Sequence, residues 1–433
     1  MIRLALLSGL FLAGGAMAEP ALPPLILPAG YVPSYTCVRE FHVAPAATNG
    51  DGSAAKPWND ISTANDSGVL KAGDCVTLAD GIYPAKHDIN LTRGGDRNAP
   101  DGYVVWRSAT PHGAHIVAQS GVYHILFLQA PYLIIDGLDV DGNHAAAQGE
   151  AISTGGNARF HHLVVENNLV HDAGGGGIQL NDSEYFWVIG NRIWGNASTN
   201  TWQESGISTY QVQTAAPFTA TPADTIPFHV VIAGNISRNN GETYACDKPG
   251  CHTDGNGIII DKTLNVDRKG GVPYTGKILV ANNLVYGNGG AGIHLYLSQH
   301  VTVANNTVYN NHLDLDNTGT WRGELSNADS DENIWVNNIG WAVTGPGVLS
   351  HNSPVLMATS GAHPIDKVMW TNNLTFGAAV DGKIDVSKNL IGIYPAVTDL
   401  NGGDFTLRSG SPAQGKGASE PYLTPATPDI GAY

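Results

Sequence analysis

Positive charge is scarce in this chain. Its 22 Lys and Arg stand against 38 Asp and Glu, giving a net charge of -16, and no basic patch with interleaved aromatics occurs. Nucleic acid is therefore not an expected partner, because phosphate binding needs clustered cations. An acidic protein that binds an acidic polysaccharide must bring local cations from Lys, Arg or a bound metal. Long apolar runs are also missing: after residue 18 no stretch approaches the length that crosses a bilayer, so no membrane span is expected. Only 14% of residues are charged, against 53 Gly and 9 Trp, which predicts an ordered, loop-rich, single elongated domain. Cysteine is limited to four residues. Of the three pairings four cysteines allow, Cys37 with Cys75 would staple an N-terminal cap and Cys246 with Cys251 would close a tight loop. Zinc held by Cys246, Cys251 and His252 is the rival reading of the second pair.

Residues 1–18, MIRLALLSGLFLAGGAMA, carry Arg3, an apolar stretch and an A-x-A ending at Ala18. They read as a cleavable secretory signal, with a mature chain starting near Glu19 and a secreted or periplasmic location.

What the chain has in abundance is a repeat. A β-branched run, an Asn, a second short run and glycines recur in VVENNLVHDAGGGGIQL (164–180), VVIAGNISRNNG (230–241), ILVANNLVYGNGGAGIHLY (278–296), VTVANNTVYNN (301–311) and MWTNNLTFG (369–377). A repeat this short, built from strands without helices, predicts an all-β parallel β-helix. Asn168 to Asn191 and Asn283 to Asn306 are each 23 residues, about three short strands and three bends. One Asn per coil at the same bend can stack its amide on the next as a hydrogen-bonded ladder. The steps Asn191 to Asn235 and Asn235 to Asn283 are 44 and 48 residues, so each carries an inserted loop. The expected layout is a signal at 1–18, an N-terminal cap and first coils at 19–110, the β-helix at 111–400 and a capping segment at 401–433.

Each coil also holds a strand of the form G-I-x-Φ-x, as in Gly206-Ile207-Ser208-Thr209-Tyr210, Gly257-Ile258-Ile259-Ile260-Asp261 and Gly292-Ile293-His294-Leu295-Tyr296. Period-two alternation turns the Ile inward and predicts two outward columns, Gln179, Ser208, Ile259, His294 and Asn181, Tyr210, Asp261, Tyr296. Insertions 194–205 and 238–256 precede the middle strands, and 211–228 and 262–277 follow them. Loops lengthened on both sides of one face build a groove. Its floor would be Tyr210, Asp261, His294 and Tyr296, with Glu204, Asp254, Lys262 and Glu324 at its edges. Tyr210, Tyr296 and Trp202, with Trp194 and Trp321, are candidate sugar-stacking platforms, and Glu204 and Gln179 candidate sugar contacts. Asp254, Asn256 and Asp261 offer oxygens that suit Ca²⁺, although the EF-hand spacing is absent.

The block EFHVAPAATNGDGSAAKPWNDI (40–61) with LKAGDCVTLADGIYP (70–84), and the ending DFTLRSGSPAQGKG (404–417) with DIGAY (429–433), resemble the two ends of secreted right-handed parallel β-helix proteins of the pectate lyase superfamily. The stretch TDGNGIIIDK is similar to the A-D-G-F-x-x-K type of segment in calcium-dependent pectate lyases that use a lysine base, with Asp254 matching the metal-binding Asp. Those enzymes have a double-Asp turn on the following coil, where this chain has Asn288-Gly289-Gly290 and then His294. The resemblance implies the fold strongly and the reaction weakly, because the superfamily holds polysaccharide lyases, glycoside hydrolases, epimerases, phage tailspikes and adhesins; a monomer acting on a polysaccharide is expected.

Two reactions fit these residues. In β-elimination on a uronate polymer, the reading the resemblance favours, Lys262 or His294 is the base, Tyr210 or Tyr296 the acid, and Asp254 with Asp261 the calcium ligands. In glycoside hydrolysis, two of Asp254, Asp261, Glu204 and Glu324 share the work. A non-catalytic glycan-binding or adhesin-type solenoid would instead have uniform coils, against the paired insertions.

Overall fold

The structure, a computed structural model, describes residues 18–45, 48–96, 102–155, 159–214, 224, 226–241, 254–268, 270–314, 323–344, 355–420 and 428–433. Residues 1–17, most of the segment read as a secretory signal, and Cys246, Cys251, His252 and Trp321 lie outside the described residues.

The repeat folds as its period requires. In one coil Ile278–Ala281, Leu284–Tyr286 and Ile293–Tyr296 each join a different sheet, and the next coil restarts at Val301–Ala304. Stacking gives three wholly parallel sheets of eleven, ten and nine strands, the right-handed parallel β-helix expected. The inward side chains of the G-I-x-Φ strands, among them Ile207, Ile258, Ile260, Ile293 and Leu295, form one continuous apolar core.

Two kinds of residue make the first bend. Its first position is left-handed, and Asn or Gly fills it: Asn167, Gly190, Gly234, Asn282 and Asn305 have φ of 56°, 63°, 67°, 57° and 53°. These types adopt that conformation at least cost. The second position is a buried Asn. Nδ2 of Asn168, Asn191, Asn235, Asn283, Asn306, Asn338 and Asn373 donates to Oδ1 of the next Asn at 2.9 to 3.0 Å, ending on Asn389. Each amide also donates to a strand carbonyl of the preceding coil, as Asn283 does to Ile232 at 3.0 Å.

A second ladder, absent from the sequence reading, runs along the next bend. Nδ2 of Asn196, Asn240 and Asn288 donates to Oδ1 of Asn240, Asn288 and Asn311 at 3.1, 3.0 and 2.7 Å. Its signal was the G-N or N-N pair ending five residues after Asn191, Asn235, Asn283 and Asn306, as in Gly287-Asn288 after Asn283. This ladder leads into the nine-stranded sheet and fixes the height at which each groove strand begins.

At the N-terminal end Cys37 is bonded to Cys75, as expected, with Cα atoms 5.4 Å apart. The helix Ile61–Asp66 starts at Asp60, whose side chain accepts from Thr63 N at 2.7 Å. The C-terminal segment carries an antiparallel pair, Val397–Asp399 with Asp404–Leu407, and then runs along the column of first bends. There Asn305 Nδ2 donates to the carbonyl of Asp429 at 2.8 Å.

Candidate functional site

The outward face of the nine-stranded sheet is built as the period-two pattern requires. Ser208, Ile259 and His294 are register partners in one column, and Tyr210, Asp261 and Tyr296 in the other. A cavity of about 600 Å³ lies over this face. Its floor includes Gln179, Tyr210, Asp261, Lys262, His294 and Tyr296, and Trp202, Glu204 and Asp254 from the inserted loops line it as well. Tyr123 and Glu150, which sequence reasoning missed, also line it, arriving from earlier coils outside the repeat motif.

Lys262 follows Asp261 at a left-handed position, φ 56°, where the strand turns away. Its Nζ lies 5.6 Å from the Tyr210 ring centre and 5.9 Å from that of Tyr296, between the two aromatic faces. Asp267 holds the same ammonium at 2.6 Å. Burial pulls the Lys262 pKa down, but the hydrogen bond to Asp267 and the charges of Asp261 and Asp267 outweigh it, and the net shift is upward.

The two carboxyls beside it are hard to ionise. Burial pushes Asp254 up to about 7, with Lys262 and Asn256 pulling the other way. Asp261 is pushed well above the usual carboxylate range, first by burial, opposed by Lys262 and reinforced by the charges of Asp254 and Asp267. Both keep an edge open to the cavity, while Asp261 Oδ1 is enclosed and accepts no hydrogen bond among the described residues. Because the two are electrostatically linked, they titrate as a pair.

His294 belongs to the floor but is not a solvated histidine. Its side chain is 2% exposed, Nδ1 lies 3.0 Å from Ser326 Oγ, and burial drives its pKa down to about 3. A neutral ring with so low a pKa is a hydrogen-bonding group rather than an effective base.

Two expected site residues have other positions. Glu324, read as a groove-edge carboxylate, lies inside the wall as the last rung of the second asparagine ladder. It accepts from Asn311 Nδ2 at 2.6 Å and from Asn311 N at 3.1 Å, and burial pushes its pKa to about 8. Asn256, read as a metal ligand, has its amide committed to the scaffold. Oδ1 accepts from Ala291 N at 2.9 Å, and Nδ2 reaches Ser205 Oγ at 3.2 Å and Asp254 Oδ2 at 3.3 Å. It orients Asp254 instead of offering an oxygen to a cation. Trp194 stacks on His171 on a different face, with ring centres 4.3 Å apart.

These positions decide how well calcium fits the groove. Calcium takes six to eight oxygens. With the Asn256 oxygen taken, Asp254 and Asp261 remain, and among the described residues no third acidic or imidazole ligand converges on them. Among the described residues the groove therefore offers two carboxylates, fewer than the calcium site that the resemblance implies. The acid and imidazole groups that do converge lie on the ten-stranded sheet.

No protein-family model and no curated protein matches the chain. Among solved structures it is similar to pectate lyase Pel9A, with 16% identity and a TM-score of 0.52 over 92% of this chain and 97% of that one. It also matches a GH136 lacto-N-biosidase from Eubacterium ramulus, with 14% identity, a TM-score of 0.45 and 79% and 57% of the two chains covered. A rhamnogalacturonan lyase matches with 12% identity, a TM-score of 0.42 and 77% and 87% covered. The likeness to Pel9A is one of fold, the right-handed parallel β-helix.

Proposed function

We propose that this protein is an exported, monomeric glycan-cleaving enzyme and that its groove hydrolyses a glycosidic bond with Asp254 and Asp261. The observation that carries the reading is this pair of linked carboxyls with raised pKa, open to one cavity between two tyrosines. At neutral pH such a pair retains a proton, so one member can act as acid while the other is ionised. The acid protonates the glycosidic oxygen, which leaves with the bonding electrons. The ionised partner either attacks the anomeric carbon or takes a proton from the water that does. Tyr210 and Tyr296 offer aromatic faces to the sugar rings.

Charge favours a neutral glycan. Glu150, Glu204, Asp254 and Asp261 line the cavity, and its lysine is already paired with Asp267. The disulfide between Cys37 and Cys75 supports an oxidising, extracytoplasmic location.

β-Elimination is the second reading, favoured by Lys262 beside the carboxyls. It asks Lys262 to give up its ion pair and its proton before it can take one from C5 of a uronate.

Digestion of neutral glycans, pectate, alginate and glycosaminoglycans tests both, with reducing ends and ultraviolet absorbance followed together. New reducing ends on a neutral glycan without absorbance support hydrolysis. Absorbance from unsaturated uronate would replace it with the lyase reading. If neither signal rises on any substrate while isothermal titration shows glycan binding, the protein is a binding solenoid.

A further inference from the structure

The outward face of the ten-stranded sheet gathers two histidines and three aspartates from successive coils. Alternation explains why they share a face: Ile116, Val140 and Val170 point into the core, so His115, Asp139, Asp141 and His171 point out. His171 Nε2 lies 3.0 Å from Asp139 Oδ1, and His115 Nε2 lies 3.8 Å from Asp139 Oδ2 and 3.0 Å from Asp141 Oδ2. One ligand atom from each of His115, Asp139 and His171 falls within 4.8 Å of the others. Bonds of 2.0 to 2.2 Å in a tetrahedral zinc site set ligand atoms roughly 3.3 to 3.5 Å apart, so these separations bracket what the ion requires.

A second layer is already in place. His171 Nδ1 lies 2.8 Å from Asp172 Oδ2, so an ion bound at Nε2 beside Asp139 would find the Nδ1 proton held by a carboxylate. A carboxylate behind a histidine is how metal-binding imidazoles are fixed and made more basic. The ring of Trp194 stacks on His171 with an interplanar angle of 6°, holding its plane, and Arg238 covers Trp194 at 5.2 Å. With neutral rings the five side chains carry three negative charges, and a divalent cation would offset two. All five are half-buried, which leaves a path for the ion.

We infer that His115, Asp139 and His171, with solvent as fourth ligand, form a site for a divalent transition metal of the zinc type that ties three coils together away from the groove. Imidazole donors select such an ion over calcium or magnesium. The role is structural, because the glycan groove lies on a different sheet.

The test uses protein stripped with a chelator and titrated with Zn²⁺ at neutral pH by calorimetry, with Co²⁺ as a spectroscopic probe of geometry. One Zn²⁺ per chain is expected, with intense visible Co²⁺ bands and no competition from excess Ca²⁺. His115→Ala and Asp139→Asn should each weaken binding by at least ~10-fold, and Asp172→Asn, which removes no ligand, by about 10- to 100-fold. Circular dichroism checks that each variant is folded. Zn²⁺ should raise the thermal midpoint of the parent but not of His115→Ala, and glycan cleavage should be equal in the two. The inference is overturned if no saturable heat is seen, as when His171 is simply an imidazolium held by its aspartates. It is also overturned if folded His115→Ala and Asp139→Asn bind as tightly as the parent, or if Asp261→Asn abolishes binding while they do not.

Discussion

Glu324 completes a ladder that Asn311 leaves open: both the side-chain and the backbone N–H of Asn311 end on its carboxyl. A glutamate in a rung otherwise filled by asparagine carries a proton at neutral pH, because burial has pushed its pKa from 4.5 to about 8. Stability from such a group is complete below its unfolded pKa and is lost as pH rises through the folded one. The thermal midpoint is expected to fall between about pH 4.5 and 8, with Asp254 and Asp261 contributing in the same direction. Glu324→Gln should flatten that slope and raise the midpoint above pH 8, whereas Glu324→Ala should cost about 1–3 kcal/mol at low pH and less as pH rises toward 8. Calorimetric scans across pH measure both. Equal slopes in parent and Glu324→Gln would show that the carboxyl is not protonated.

Asp254→Asn and Asp261→Asn should each lower kcat by about 10²- to 10⁴-fold while the fold is kept. Activity should depend on pH around about 7, where Asp254 exchanges its proton, since cleavage needs one member of the pair ionised while the other keeps a proton. Steady-state kinetics on a cleaved glycan would sink the assignment if either variant kept parental kcat.

Lys262→Met separates the two reactions. If the carboxyl pair hydrolyses, KM should change more than kcat. If Lys262 is the base of an elimination, kcat should fall by about 10²- to 10⁴-fold. Tyr296→Ala should raise KM by roughly 3- to 10-fold, the equivalent of about 0.5–1.5 kcal/mol of lost stacking.

Asn283→Ala removes a central rung. It strips acceptors from the backbone N and Nδ2 of Asn235 and a donor from the carbonyl of Ile232, all in the interior. A loss of about 3 kcal/mol is expected by urea unfolding, against about 1 kcal/mol for Asn389→Ala at the partly open end of the ladder. Equal losses would mean that solvent reaches the interior rungs.

The coil and its groove columns were legible because both are periodic. Asn283 and Asn306 announced a bend, and Ile207, Ile258 and Ile293 set the register that brought Tyr210, Asp261 and Tyr296 side by side. Depth was less visible. His294 and Tyr296 alternate identically in sequence, yet neighbouring coils and loops enclose the first and leave the second half-open. Glu324 misled because it fills the next rung from the same coil as Asn311, across the long connection that leads into Leu325–Ala328, so no local pattern assigns it to the ladder. Asn256 stands among metal-like neighbours, but its partner Ala291 is 35 residues away. The cluster around His115 and His171 went unread because its members come from three coils, and the two that hold His115, Asp139 and Asp141 lack the Asn motif.

Neighbouring coils stand ~4.8 Å apart, so Tyr210 and Tyr296, two coils apart, are separated by roughly 10 Å along the axis. That interval is set by backbone pairing and asparagine rungs, not by the groove residues themselves. The floor is thus a ruler graduated by the main chain, against which only a polymer of commensurate repeat can keep successive units in step. Duplication of one coil would add a graduation and lengthen the subsite row without altering the chemistry at Asp261.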